Sequence, residues 1–273
     1  MTSPDLPEAF FRSEGGDRFV PTEATRGPWA PEHQHGGPPA ALMARALEGL
    51  AAGLGGSRLV RLTVEFFRPV PIAPLSVSTE VVRGGRRVQS LTATLAEGER
   101  EVARAYGLAV RRAELDLPGG PAGRPSIELD PPPGPEVSEP FEFPFFLWTM
   151  GYHRAMECRL ARGAFGTGRA TIWFRMRLGL VAGERPSGLQ RAVAAADSGN
   201  GVSLLLSKDR WVFPNPDLTI YLFREPAGEW VGLDSVTIPD AGGAGLAETA
   251  LYDEAGSCGR SLQSLFIEPA PQP

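Results

Sequence analysis

Lysine, cysteine and histidine are nearly missing from this chain. Of 273 residues one is lysine (Lys208), two are cysteine (Cys158, Cys258) and three are histidine (His33, His35, His153). Two cysteines cannot staple a chain of this length, and the opening Met1-Thr2-Ser3-Pro4-Asp5 lacks the basic-then-apolar pattern of a secretory leader. A reducing, cytoplasmic setting is the expectation. With no CxxC pair and no HExxH helix, no metal site is expected. GxGxxG after a strand, GxxxxGKS/T and a nucleophile elbow are also missing, so nucleotide-phosphate chemistry and serine-type acyl transfer have no motif to stand on. The 27 basic and 32 acidic side chains leave a formal charge of −5, the wrong sign for a nucleic-acid surface. With lysine so rare, the arginine excess reads as coding bias rather than as a phosphate-binding device. At 42% hydrophobic and 22% charged residues, neither disorder nor a membrane span is expected. Chemistry would have to run on carboxylates, amides, hydroxyls and backbone dipoles.

What is abundant is unevenly placed. The chain has 33 glycines and 27 prolines, and residues 118–144 alone hold nine prolines and four glycines. Proline removes ladder donors and breaks helices, so this stretch reads as a linker. It divides the chain into an N-terminal repeat (1–112), a linker (113–143) and a C-terminal repeat (144–273). The two halves align. Leu62-Thr63-Val64-Glu65-Phe66-Phe67-Arg68-Pro69 resembles Leu218-Thr219-Ile220-Tyr221-Leu222-Phe223-Arg224-Glu225-Pro226 at an offset of 156, which also pairs Leu95 with Leu251 and Arg104 with Arg260. One offset held over some forty residues points to an internal duplication.

Both halves carry the same order of signals. Pro38-Pro39 opens a helical stretch through Leu50 that is apolar around most of its circumference and so should be buried. Strand signals follow at 59–68, 75–83, 87–97 and 101–111, with glycine turns at Gly84-Gly85 and Gly98. The second half gives strands at 150–160 and 169–178, a helical segment at 187–207, then strands near 217–224, 230–238, 246–253 and 259–267. Positions 62, 64 and 66, like 218, 220 and 222, form an apolar period-2 face for the helix. A long buried helix followed by an antiparallel meander predicts a sheet wrapped around a helix. Two such units pairing edge to edge would protect each other's free strands.

In this arrangement the sequence resembles the TesB-like acyl-CoA thioesterases of the thioesterase-like superfamily. Four stretches carry the likeness: Trp29 with His35-Gly36-Gly37-Pro38-Pro39; Ala194-Ala195-Ala196-Asp197; Asp217-Leu218-Thr219 through Phe223-Arg224-Glu225-Pro226; and Gly259-Arg260-Ser261-Leu262-Gln263. The resemblance implies an α+β double hot-dog fold, in which two tandem repeats of a long buried helix wrapped by an antiparallel sheet form one continuous sheet. It also implies a catalytic trio of Asp, Gln and Thr that positions a water on the thioester carbonyl. Asp197 and Gln263 match the first two. The threonine does not carry over: its ungapped position is Pro216, one residue away is Asn215, and Thr219 is the nearest threonine. On parity Thr219 lies on the face opposite Leu218 and Ile220, so only a bulge would turn it inward.

The residues themselves admit two readings each. Asp197 is the only ionisable residue between Ala192 and Ser207. A carboxylate in such company loses solvation, which suits a base; the plainer reading is a helix cap bonding Gly199 or Asn200. Gln263 can both donate to and accept from one water, or simply face solvent. Gly36-Gly37 ahead of a helix offers amides to an oxyanion, with His35 beside them as a further substrate-binding candidate, or else a plain turn. His35 heads its helix as Asp197 does the other, suggesting two diverged copies of one site. Phe141, Phe143, Phe145, Phe146 and Trp148 read more as a staple for the linker than as an acyl tunnel, and Arg61, Arg68 and Arg224 are candidates for CoA phosphates. Neither cysteine lies beside a histidine, so both read as inert core.

The expected function is hydrolysis of acyl-CoA thioesters, with acyl-CoA as the partner, no cofactor, no nucleic acid and no membrane span; a homo-oligomer is compatible. The alternatives are a non-catalytic acyl-CoA-binding hot-dog protein and an enoyl-CoA hydratase. The hydratase pattern needs a histidine five residues after the aspartate, where this chain has Val202.

Overall fold

The computed structural model describes residues 5–116 and 131–271. Glycines 15 and 16, both at positive φ, turn strand β1 (Ala9–Gly15) back onto β2 (Arg18–Pro21). Neither strand was expected from the sequence. Helix α1 (Gly37–Gly53) follows, with prolines in its first turn where the missing N–H groups do no harm. It ends before Gly55, which takes the left-handed conformation. The antiparallel meander β3 (Ser57–Phe66), β4 (Leu75–Arg83), β5 (Val88–Glu97) and β6 (Arg100–Arg111) then lies where turn chemistry placed it. Much of the expected linker, residues 117–130, lies outside the described residues.

The second half opens with β7 (Glu139–Phe141), a single helical turn α2 (Tyr152–Ala155), β8 (Met156–Gly163), β9 (Arg169–Met176) and β10 (Gly179–Val181). The expected strand at 150–160 therefore starts as helix. Helices α3 (Gly188–Ala196) and α4 (Gly199–Val202) come next, then β11 (Trp211–Val212), β12 (Asp217–Leu222), β13 (Trp230–Pro239), β14 (Ala244–Asp253), β15 (Gly256–Phe266) and β16 (Glu268–Pro269). The one long helix expected over 187–207 is broken after residue 196. Ser198, Gly199, Asn200 and Gly201 are weak helix formers. Gly199 must also stay bare, because a Cβ there would meet Thr249 Oγ1 at 2.7 Å and Gln263 Oε1 at 2.9 Å.

One 14-stranded sheet runs in the order β10-β1-β2-β4-β5-β6-β3-β12-β15-β14-β13-β9-β8-β7. From β1 to β8 the order mirrors the two repeats about the β3–β12 seam, while both marginal strands, β10 and β7, come from the second half. There Thr63 stands opposite Thr219, Leu62 opposite Ile220 and Val64 opposite Leu218. The offset of 156 read in the sequence is the offset between Thr63 and Thr219, whose hydroxyls bond at 3.2 Å on this pseudo-two-fold axis. Strand β10 begins only three residues after β9 ends, yet pairs in parallel with β1 at the far margin. The sheet must therefore curl until its margins come close. Inside the curl α1 packs on α3. Leu42, Met43 and Leu47 of α1 are fully buried, each worth roughly 2 kcal/mol of apolar burial. Gly37 can approach α3 because it has no side chain: a Cβ would lie 2.3 Å from Ala194 O.

Candidate active site

The break between α3 and α4 presents Asp197 to the N-terminus of α1. Asp197 is buried, and its side chain makes no cap on α4. Gln263 does that instead, its Oε1 accepting from Asn200 N–H at 2.9 Å. The Nε2 of Gln263 donates to the Asp197 carbonyl at 3.0 Å and reaches Oδ1 at 3.4 Å. Asn215 Nδ2 donates to Asp197 Oδ1 at 2.8 Å and to Asp217 O at 3.1 Å. Both Asn215 donors are thus committed, the amide orientation is fixed, and its Oδ1 remains a free acceptor.

The other carboxylate oxygen faces the first repeat. His35 Nδ1 lies 3.1 Å from Asp197 Oδ2 and 3.1 Å from Gly37 N. One nitrogen cannot accept from that amide and donate to the carboxylate together, so the location of the imidazole proton decides which contact is the hydrogen bond. Burial lowers the His35 pKa, and the nearby Asp197 charge opposes that shift. The imidazole stacks on Tyr152 at 3.8 Å between centroids and 5° between planes. The Tyr152 hydroxyl bonds Ala194 O at 2.8 Å and Ser198 Oγ at 2.9 Å, and its burial raises its pKa well above 10.0. Tyr152 thus ties the histidine to the helix end that carries Asp197.

Gly36 sits against the carboxylate so closely that a Cβ would come within 2.8 Å of Asp197 Oδ2. Of the four first-turn positions whose N–H groups lack helical partners, two are prolines and Gly37 is turned to His35. Gly36 N–H is left at the positive end of the α1 dipole.

His35, Gly36, Asp197 and Asn215 line a cavity of about 530 Å³. Its walls are otherwise largely apolar, with Phe66, Phe143, Phe145, Phe146, Leu204 and Phe213 among them. The aromatic run after the linker therefore contributes to a chamber as well as to packing. Gln263, 1% exposed, lies behind Asp197 and does not line the cavity. Thr219 is not brought into the cluster. It faces Thr63 across the seam, with no bulge to turn it, whereas Asn215 bonds the Asp197 carboxylate. His35 and Asp197 do not hold equivalent places either: His35 precedes the head of α1 and Asp197 ends α3, and the two meet at 3.1 Å. Of the three arginines expected as candidates for CoA phosphates, Arg224 is held by Asp253, Arg61 follows the parity opposite buried Leu62, and Arg68 alone lines the cavity.

Residues 25–110 match the acyl-CoA thioesterase N-terminal domain family, and residues 128–267 match its C-terminal domain counterpart. The chain belongs to the acyl-CoA thioesterase family. It is a thioester hydrolase with a double hot-dog fold. Similar solved structures include a protein from Thermobifida fusca named as a candidate thioesterase II (18% identity, 96% of each chain, TM-score 0.71). Another is a hot-dog protein of unknown function from Alicyclobacillus acidocaldarius (20% identity, 95% of this chain and 96% of that one, TM-score 0.71). A third is a TesB protein from Mycobacterium avium subsp. paratuberculosis (17% identity, 95% and 96%, TM-score 0.66). At these identities the structures speak to the fold alone. No curated protein matches the chain.

Sequence reasoning missed Tyr152, because a tyrosine in an aromatic neighbourhood carries no signal of what it will stack on. It missed Lys208 and Phe213 as cavity walls for a similar reason. Both cysteines of this thioesterase are buried, and burial pushes the Cys158 thiol pKa up, away from nucleophile chemistry. Among the described residues no cluster of His, Cys, Asp or Glu could hold a metal ion, and no helix is long and apolar enough to cross a membrane.

Proposed function

We propose that this chain hydrolyses acyl-CoA thioesters with Asp197 as general base. The observation that carries the reading is the half-tethered carboxylate at the cavity wall. Asn215 and Gln263 fix Oδ1 and leave Oδ2 toward the chamber and His35. A water there donates one proton toward Asp197 Oδ2 and the other to the free Oδ1 of Asn215, which aims its lone pair at the thioester carbonyl carbon. Attack transfers the first proton to Asp197 and forms a tetrahedral oxyanion, stabilised by Gly36 N–H and the α1 dipole. Collapse breaks the C–S bond, and Asp197 returns the proton to the departing thiolate, giving free acid and CoA. Gln263 is a positioning residue in this scheme, holding the backbone and carboxylate of Asp197 together. His35 serves the substrate side with Gly36 and Gly37. Its Nδ1–H donates to Asp197 Oδ2 and keeps its proton through the step, while the proton of the water is taken on the other lone pair of that oxygen.

The decisive experiment is a panel of acyl-CoA thioesters assayed for thiol release. Turnover that survives Asp197→Asn unchanged removes Asp197 from the mechanism, and binding without turnover across chain lengths removes the hydrolase reading of this site.

A further inference from the structure

The cavity wall carries two cations besides its histidines, Arg68 and Lys208, and one carboxylate, Asp197, which is already engaged. Neither cation makes an ion pair among the described residues. Arg68 Nε is buried without an acceptor. Lys208, the one lysine of the chain, sits between two aromatic rings, its Nζ 4.4 Å from the Trp29 centroid and 4.9 Å from that of Phe145. Its polar contact is a long one, 3.5 Å to Pro28 O. Trp29 is itself braced edge-on against Phe213 at 5.7 Å. The rings hold the ammonium in place but supply no counter-charge, so its electrostatic demand is unmet in partly desolvated surroundings. Two such cations in one largely apolar chamber, on a protein of net charge −5, oppose the overall field and mark a point where an anion would be captured.

We propose that Arg68 and Lys208 form an anion-binding subsite of this cavity, which holds a phosphate or carboxylate group of the thioester while the acyl chain occupies the apolar wall. The proposal rests on the reading of the cavity as the thioester site. Arg68 offers a planar fork for bidentate contact, and Lys208 a point charge pre-organised by its rings. The anion has two sources with the same chemistry: the phosphates of the CoA carrier, or a carboxylate at the far end of the acyl group.

The test uses the full chain with Arg68→Gln and Lys208→Gln, and Lys208→Arg as the charge-preserving control. CoA itself is titrated calorimetrically, which needs no turnover and so separates this proposal from the thioesterase reading. Loss of a charge-assisted contact raises the Kd for CoA about tenfold in each Gln variant, with recovery of most of the affinity in Lys208→Arg. If CoA affinity holds, the second arm compares glutaryl and butyryl thioesters of N-acetylcysteamine, which carry no phosphate. A preference for the glutaryl thioester that falls about tenfold in the Gln variants places the acyl carboxylate in the subsite. Folded Gln variants, judged by unchanged thermal midpoints, that alter neither CoA affinity nor the glutaryl preference overturn the proposal.

Discussion

Replacing Asp197 by asparagine separates the base from the scaffold, because the two carboxylate oxygens have different partners. Oδ1 accepts from Asn215 Nδ2 at 2.8 Å and is 3.4 Å from Gln263 Nε2. An asparagine oxygen can keep both, which forces its NH₂ onto the Oδ2 side. There it meets His35 Nδ1 at 3.1 Å, an atom able to accept. The variant is therefore nearly isosteric and keeps the bonds to Oδ1, and its thermal midpoint should stay within about 3 °C of wild type, since the one acceptor shared by the new NH₂ and Gly37 N–H leaves about 1 kcal/mol to lose. The chemical step fares differently: an amide cannot take the water's proton, and a positioned base contributes on the order of 10²–10⁴ to the rate. The expected result is a fall of that size in kcat for acyl-CoA hydrolysis, read as CoA thiol release, with KM moving by less than about threefold because ground-state contacts persist. Asp197→Ala should lose activity too, but also about 2–4 kcal/mol of stability from leaving buried donors on Asn215 and Gln263 unpaired. A folded Asp197→Asn enzyme within threefold of wild-type kcat would refute the general-base assignment.

Other expectations follow from the same geometry. Burial lowers the pKa of His35 below 6.5, so its unfolded counterpart takes up a proton first as pH falls. Stability from this group is full above 6.5 and is lost as pH falls toward the lower folded value; denaturation midpoints at pH 5 and 7 should differ less in His35→Gln than in wild type. The pH profile of kcat/KM should accordingly show no histidine limb above 6.5. Gly37→Ala drives a Cβ to 2.3 Å from Ala194 O, a backbone atom, and should destabilise the fold by roughly 1–3 kcal/mol in chemical denaturation. Thr219→Val removes only the seam hydroxyl pair, so kcat/KM should stay within about twofold while stability falls by about 1 kcal/mol.

The seam shows why the fold was legible and the site only partly so. Leu62, Val64, Leu218 and Ile220 are buried, and each strand's alternation reports its own buried face locally. The duplication added the partner, since a self-paired strand of the repeat sets Thr63 against Thr219. Strands β1 and β2 escaped because they are short and carry little period-2 alternation. The helix break escaped because Ala192–Ala196 and Val202 continue a helical pattern, while the cause, Thr249 and Gln263 pressing on Gly199, lies on distant strands. Asp197 could be singled out as a lone charge in an apolar run. Its partners could not. The resemblance supplied Gln263, but that Asn215 supports Oδ1 and Tyr152 backs His35 depends on loops whose paths no local pattern encodes.

The duplication also explains why one end of the helix pair carries the site and the other does not. Where the head of α1 meets Asp197 beside α3, the head of α3 meets Glu48 of α1. Glu48 Oε2 already accepts from Ser187 Oγ and Gln190 Nε2, both at 2.8 Å, and Ser187 also caps α3. Asp197 Oδ2 faces only a titratable nitrogen and the cavity, but Glu48 Oε2 is taken by two fixed donors and Glu48 does not line the cavity that holds Asp197. Nearby Arg45 and Glu184 clamp the same end with paired contacts at 2.6 Å. On this reasoning Glu48 is a structural tie between the repeats. Glu48→Ala should cost about 1–2 kcal/mol of stability by unpairing the buried Gln190 amide, while kcat stays within about twofold. A loss of kcat comparable to that of Asp197→Asn, at unchanged stability, would mean that both ends of the helix pair carry chemistry and that the single composite site is the wrong description.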